Sequence, residues 1–563
     1  MLIAVILYAA VLFHAAICAR SRPTPVRPTV RLDDAMFIGK RGNMTDAYLG
    51  IKFAEAPRFR LPTLVRQYPR ATHDASDFGP SCPQHNSMAV RSIVNYPSVG
   101  RSVASSPMKA PWQPGARPSE DCLNLNVWVP TGTGSTSRLP VVVVCRSIVH
   151  GIGTMSHDQF SSYDGSVIVR RSVQLGEPIV YVSMNYRVSA FGFLAGREVN
   201  DAGVGNIGLE DQRIALKWIQ RYITAFGGDP TRVTLWGESA GAISVSLHML
   251  TNGGNTEGLF HRAFMQSGAP IPVGDIAYGQ AEFDTLVANT ECELAADKLE
   301  CLRLVPYSVL KAAVDKSPGV ISYQSLRLSY LPRVDGRFLV DAPQKLVLNV
   351  SVSKIPFVTG SCEDEGTLFS LFSSFIVWDD AHFRDYMLTN YMNGANESHV
   401  GDLFETLYPD DPAQGSPFDT GSQYAFLQYE RLSAIQGDLV FQAPRRFFLE
   451  QTYDKQPTWS FLSKRNKNLS LVGYKVGFLG AAHGSDLSNV YGPGDMTDYL
   501  VHFVNHGDPN APDGRLLGWP QYSVQSRHQM TFLDGDLPLA VTSDVYRAEA
   551  LKRLTELSLR FPL

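Results

Sequence analysis

Hydrophobic positions along the chain fall into two rhythms. Six short apolar runs, "LNLNVWVP", "LPVVVV", "EPIVYVSMNY", "RVTLWG", "KIPFVTG" and "TWSFLS", are rich in β-branched and aromatic residues and read as strands. The uninterrupted valines Val141 to Val144 suit a strand covered on both faces. Between the strands, "GLEDQRIALKWIQRYITAFGGDP" has helical periodicity and ends on a Gly/Pro stop. Strands alternating with helices over several hundred residues predict an α/β fold with a mainly parallel sheet. From about 270 to 350, and again from 366 to 455, helical patterns run without a clear strand. These segments read as insertions capping one sheet rather than as separate domains. The pattern contains no internal repeat and no low-complexity tract.

The first residues, "MLIAVILYAAVLFHAAICAR", hold an apolar run followed by small residues. This pattern predicts a secretory signal peptide over 1–19, although a basic start is missing, and leaves 20–563 as a single domain of a secreted, extracellular protein. No later apolar stretch is long enough to cross a membrane. Secretion gives the seven cysteines a disulfide context. Cys18 leaves with the signal. Cys292 and Cys301, close together in "CELAADKLEC", suit a short-loop disulfide. Cys82 and Cys122 bracket a Pro/Ser/Gly-rich stretch, and Cys145 and Cys362 have no obvious partner. Asn43, Asn349, Asn396 and Asn468 each begin an N-x-Ser/Thr sequon, consistent with glycosylation on exposed loops. No Cys/His spacing suggests zinc, and neither a metal nor a cofactor is expected. The net charge is −4, without a basic stripe, which argues against a nucleic-acid partner.

The strongest chemical signal is "RVTLWGESAGAISVSLHML". Val233 to Trp236 read as a strand, Gly237-Glu238-Ser239-Ala240-Gly241 as G-x-S-x-G, and Ala242 to Leu250 as a helix. A serine on a sharp strand-to-helix turn stands clear of the sheet, and the glycines remove side chains that would clash. The helix aims its first N–H groups at the site, which makes the Ala240 N–H a candidate oxyanion donor. A serine nucleophile needs a base, and the base needs an orienting acid. In this arrangement the chain order is serine, acid, histidine. "KIPFVTGSCEDEGTLF" supplies Glu363, Asp364 and Glu365 just past a strand, where open α/β sheets keep their active sites. Of the 13 histidines, His483 lies in the small-residue loop "FLGAAHGSDLSNVYG". His502 and His506 lie in "MTDYLVHFVNHGDP", which reads as a surface helix, and His248 lies on the helix after the serine.

These motifs resemble the type-B carboxylesterases, the α/β-hydrolase family that includes the cholinesterases, and within it the secreted fungal lipases and sterol esterases. "YLGIKFAEAP", "SEDCLNLNVWVP", "NYRVSAFGFLAG", "NIGLEDQRIALKWIQRYITAFGGDP" and "VTLWGESAG" match the family's blocks. "QSLRLSYLPRVDG", "QGSPFDTG" and "WSFLSK" match its fungal branch. The resemblance spans nearly the whole mature chain. It implies a sheet with helices on both faces, a helical cap and a lid. It also implies a serine ester hydrolase with Ser239 as nucleophile, Glu365 of the D-E-G-T motif as acid and His483 as base. The family's disulfides fall on Cys82–Cys122 and Cys292–Cys301, and its structural ion pairs on Arg58 with Glu120 and Arg187 with Asp211. The segment 82–122, with apolar Met88 to Val94, is where related lipases keep a lid that opens on lipid. The implied substrates are small-molecule or lipid esters, acylglycerols or sterol esters above all, met at a lipid–water interface. A short-chain or aryl carboxylesterase is the nearest alternative.

One stretch departs from the family. In "VVVVCRSIVHGIGTM" the ungapped register puts the family's oxyanion glycines on Ser147, Ile148 and Val149. Ile148 and Val149, with Ala240, are then the expected oxyanion donors. A register slip would use "HGIG", His150 to Gly153, instead. A β-branched residue where glycine is usual costs on the order of 1–3 kcal/mol if φ is positive. The expectation is an impaired oxyanion hole; the alternative of another class is a catalytically impaired, cholinesterase-like binding protein.

Overall fold

The computed structural model describes residues 27–85, 118–145, 164–320, 322–421, 427–467 and, apart from 468–469, 472–473, 476, 493 and 513, the rest of the chain to 563. The expected signal peptide, most of the stretch between Cys82 and Cys122, the loop carrying Ile148 and Val149, and Asn468 lie outside these residues.

Eleven strands form the central sheet: β1 (Lys40–Arg41), β2 (Thr45–Lys52), β3 (Asn124–Pro130), β4 (Leu139–Cys145), β5 (Val180–Met184), β6 (Gly228–Glu238), β7 (Arg262–Gln266), β8 (Phe357–Cys362), β9 (Thr458–Ser463), β10 (His528–Phe532) and β11 (Leu539–Ser543). Their order across the sheet is β11-β10-β9-β8-β7-β6-β4-β5-β3-β2-β1. Every pair from β5 to β10 is parallel, and antiparallel strands close both edges. All six apolar runs of the sequence lie in this sheet. A separate three-stranded sheet (Thr29–Leu32, Ala35–Ile38, Thr72–Asp74) stands near the N-terminus.

The valine run shows why the centre is buried on both sides. Successive strand residues point to opposite faces. Val141, Val143 and Cys145 join one core cluster, while Val142 and Val144 join the other, together with Trp236 and Trp459. The helices include α1 (Gly165–Gln174), α2 (Ile207–Tyr222), α3 (Ala240–Leu250), α4 (Thr367–Ser373), α5 (Tyr429–Gly437), α6 (Asp495–His506) and α7 (Ala548–Arg560). Apolar residues of α2 and α3 fill the first cluster, and those of α1 and α6 the second. Among the described residues, 270–350 and 366–455 add helices and only one strand of the main sheet between them, β8.

Ion pairs tie the outlying blocks to this core. Arg187 is 4% exposed and Asp211 fully buried; the guanidinium donates to the carboxylate at 2.7 and 2.8 Å, and the Arg187 backbone N–H adds a third bond at 2.9 Å. Arg187 Nη1 also donates to the Arg60 carbonyl at 2.8 Å, so the pair fixes the N-terminal block against the turn after β5. Arg58 makes a two-pronged pair with Glu120, both bonds 2.6 Å, but this pair is partly exposed rather than buried. Cys82–Cys122 and Cys292–Cys301 are bonded, and Cys145 and Cys362 are free and buried. Asn43, Asn349 and Asn396 are exposed.

Removing one partner of a buried pair leaves an uncompensated charge, at roughly 3–5 kcal/mol. Asp211→Ala should therefore lower the thermal midpoint by several degrees. Asp46→Ala, which leaves the half-exposed Arg41 free to turn to water, should change it far less. Scanning calorimetry of the two variants checks the ranking.

Candidate active site

Strand β6 ends at Glu238 and helix α3 begins at Ala240, so Ser239 alone makes the turn. Its backbone sits at φ 57°, ψ −125°, a strained conformation for a residue with a Cβ, at a cost on the order of 1–3 kcal/mol. Two hydrogen bonds hold it there: the Ser239 N–H donates to the Gln266 carbonyl at 2.9 Å, and its carbonyl accepts from the Ile243 N–H at 2.9 Å. The turn is possible because position 237 is glycine. A Cβ there would lie 2.3 Å from the Gly241 carbonyl carbon.

Three segments that follow the parallel strands β6, β8 and β9 meet at this turn. The Ser239 Oγ lies 2.8 Å from His483 Nε2, and His483 Nδ1 lies 2.5 Å from Glu365 Oε2. The other oxygen of Glu365 accepts from the Cys362 N–H at 2.7 Å, which fixes the carboxylate just past β8. All three residues are at most 7% exposed. The rings of Phe369 on α4 and Phe441 cover the imidazole at centroid distances of 4.9 and 4.8 Å.

The three acids of "CEDEG" have separate fates. Glu363 pairs with Lys464 and Lys467. Asp364 is fully buried and accepts from Ser416 Oγ at 2.8 Å, the Phe418 N–H at 2.9 Å and the Ala481 N–H at 2.9 Å. Only Glu365 reaches the histidine. Asp364 thus clamps the loop that carries His483, and Thr367 Oγ1 adds a bond to the Leu479 carbonyl at 2.7 Å. Gly480, at φ 60°, sits against this clamp; a Cβ would lie 2.2 Å from Asp364 Oδ2. Burial pushes the Asp364 carboxyl up to about 6 despite its three donors.

Sequence reasoning passed over two further carboxylates. Glu238 Oε1 lies 3.3 Å from His483 Nε2, and Asp486, fully buried, accepts from Gln266 Nε2 at 2.8 Å. Their positions, beside the serine and three residues after the histidine, were the available signal. Burial disfavours the charged imidazole. The charge and hydrogen bond of Glu365, with the charges of Glu238 and Asp486, outweigh it and push His483 up to about 9. His248 is buried on α3 against Gln212 and is held down to about 3 by burial. His502 is buried rather than on the surface, 2% exposed.

Beside the serine lies a pocket of roughly 760 Å³, counted out to its open mouth. Ser239 and Ala240 form part of its wall, and Val188, Phe193, Ile271, Leu331, Phe369 and Phe441 make it overwhelmingly apolar. Ala240 is the first residue of α3, so its N–H is one of the helix's unpaired N-terminal donors.

The family model described as "Carboxylesterase family" matches residues 27–551. The chain belongs to the carboxylesterase family. Its activity is that of a carboxylic ester hydrolase. Lipase 2 of Diutina rugosa is 37% identical over 94% of this chain and 96% of its own length. Secreted lipase 1 of Botryotinia fuckeliana is 38% identical over 88% of each chain, and the secreted triacylglycerol lipase LIP1 of Gibberella zeae is 35% identical over 90% of this chain and 86% of its own. EstA of Aspergillus niger, a crystal structure, superposes with a TM-score of 0.76 at 24% identity, covering 96% of this chain and 99% of that one, which establishes the α/β-hydrolase fold. As a carboxylesterase-family chain, this one keeps the serine, acid and histidine segments in contact; its Ile148–Val149 loop lies outside the described residues.

The Glu238 charge has a measurable consequence. In Glu238→Gln a negative charge 3.3 Å from Nε2 is lost, the imidazolium is less favoured, and the His483 pKa falls. If His483 must be neutral to act, the acidic limb of kcat/KM should move to lower pH in this variant. A pH–rate profile of both proteins on one soluble ester measures the displacement; a limb that stays put or moves up contradicts the electrostatic role of Glu238.

Proposed function

We propose that this protein is a secreted lipase-type serine ester hydrolase that works through an acyl-enzyme on Ser239. The carrying observation is the unbroken hydrogen-bonded line from Ser239 Oγ through both nitrogens of His483 to Glu365, buried beside an apolar pocket. Ser239 Oγ attacks the ester carbonyl carbon while His483 Nε2 takes its proton. Glu365 holds the Nδ1–H and stabilises the imidazolium, which then gives the proton to the departing alkoxide. Water, activated by the same nitrogen, cleaves the acyl-enzyme and restores the serine. The Ala240 N–H, with backbone donors of the Ile148–Val149 loop, holds the oxyanion. Lipid-like esters as substrates, and a lipid–water interface as the place of action, are supported by the pocket's apolar wall and by the printed names of the secreted lipases the chain resembles. Those names, and the apolar N-terminal run, also support secretion. No helix among the described residues is long and apolar enough to cross a membrane.

A fluorophosphonate probe should label the natural protein once per chain and leave Ser239→Ala unlabelled, as read by intact mass. Equal labelling ends the nucleophile assignment. On p-nitrophenyl esters, each methylene that enters the apolar pocket is worth about 0.8 kcal/mol, or roughly fourfold, so kcat/KM should climb steeply from acetate toward octanoate. A profile that peaks at acetate favours the short-chain carboxylesterase instead.

The substituted oxyanion loop sets the expected rate. Loss of one oxyanion donor typically costs roughly 10²–10³ in turnover. Restoring Ser147→Gly, Ile148→Gly and Val149→Gly together should raise kcat at least about tenfold, or roughly 1.4 kcal/mol. No gain, with ordinary esterase turnover in the natural protein, moves the hole to His150–Gly153. No turnover by either form favours the impaired, cholinesterase-like binding protein.

A further inference from the structure

On the side of the sheet covered by α1 and α6, three side chains that can ligate a metal converge, and none has a part in the ester chemistry. His502 and His506 are one helical turn apart on α6, so their imidazoles share one face. Glu177, in the turn between α1 and β5, reaches both. Its Oε2 lies 2.7 Å from His502 Nδ1 and its Oε1 lies 3.0 Å from His506 Nε2. The three ligand atoms all lie within 4.8 Å of one another, and no other such group of three occurs among the described residues.

We propose that Glu177, His502 and His506 form a divalent transition-metal site, with zinc as its ion. Two imidazoles and one carboxylate are a zinc donor set, and tetrahedral zinc takes three protein ligands with water as the fourth. This donor set is too soft and nitrogen-rich to favour magnesium or calcium. The surroundings fit such a site. His502 is 2% exposed and fixed in the helix interface, while the His506 side chain is 45% exposed and free to close the short remaining distance to an ion. The exposed side also leaves room for the water. Glu177 is held at the backbone, because Asn505 Nδ2 donates to its carbonyl at 3.1 Å. One turn back, the Arg171–Asp498 pair, with bonds of 2.6 and 2.7 Å, already clasps α1 to α6. The metal would replace the protons now shared with the carboxylate and close a second clasp at the other end of the same contact.

No short Cys/His spacing in the sequence marks this site. Here the third ligand comes from 325 residues before His502. The proposal does not depend on the assignment of Ser239, His483 and Glu365, and its test does not use turnover.

The full-length protein, without a polyhistidine tag and stripped with chelator, is titrated with zinc chloride by calorimetry. The natural protein should take up one zinc per chain and gain in thermal midpoint, reversed by EDTA. Cobalt(II) in its place should give the visible d–d bands of a tetrahedral site. In His506→Ala and in Glu177→Gln the zinc affinity should fall at least about tenfold, since loss even of a supporting contact costs 10–100-fold at metal sites. His506 is half exposed, so its removal leaves the fold intact and keeps the test open should Glu177→Gln fold poorly. Absence of saturable one-to-one uptake by the natural protein overturns the site, as does binding that His506→Ala leaves unchanged. Either result makes the three residues a purely hydrogen-bonded clasp.

Discussion

A carboxylate can be held out of water only if something replaces the water, and Glu365 is held out of water entirely. Its two oxygens are spent on a backbone N–H and on the His483 imidazole, and the rest of the site follows from that. With Nδ1 committed to the acid, Nε2 is left to face Ser239. With the stacked rings of Phe369 and Phe441 packed against it, the imidazole has little freedom to turn away. Removing one partner from such a buried arrangement costs several times the net worth of an exposed pair.

Two further carboxylates near the same imidazole give the site an electrostatic bias of its own. Against the burial that disfavours its charge, the charge and hydrogen bond of Glu365, with the smaller contributions of Glu238 and Asp486, make the histidine hold its proton more firmly than an ordinary one. In the mechanism proposed above, this favours the charged state that would protonate the leaving alkoxide and works against the neutral state needed for the first proton transfer. A base and acid that are the same group must serve both steps, and the surrounding charges set the balance between them.

Much of this was legible in the sequence, for a physical reason. Strands buried on both faces leave continuous apolar runs, and the six such runs all fall in the main sheet. The strand–Gly-x-Ser-x-Gly–helix context placed Ser239, because the turn permits so few residues at its tight points. Other features left weaker marks. Glu363, Asp364 and Glu365 look alike on paper, and only long-range contacts separate them: lysines for the first, the loop of His483 for the second, the imidazole for the third. The exposed β11 carries a mixed polar pattern with no strong period, and the strands of the N-terminal sheet, though alternating, are only three or four residues long. Glu177 meets His502 and His506 across more than half of the chain, which no local spacing can reveal.

The "CEDEG" turn has one more consequence. Three consecutive carboxylates point to three different destinations, so the segment works like a three-pin plug: each pin fits one socket and the spacing is fixed by the backbone. Surface loops elsewhere in the chain can grow or shrink by a residue at little cost. Here a single deletion would shift every pin by one, putting an acid meant for the loop clamp at the imidazole and another meant for solvent-side lysines into the buried clamp. Change by descent at this turn is therefore confined to substitution, and the length of the segment from β8 to α4 should be among the most tightly held dimensions of the molecule.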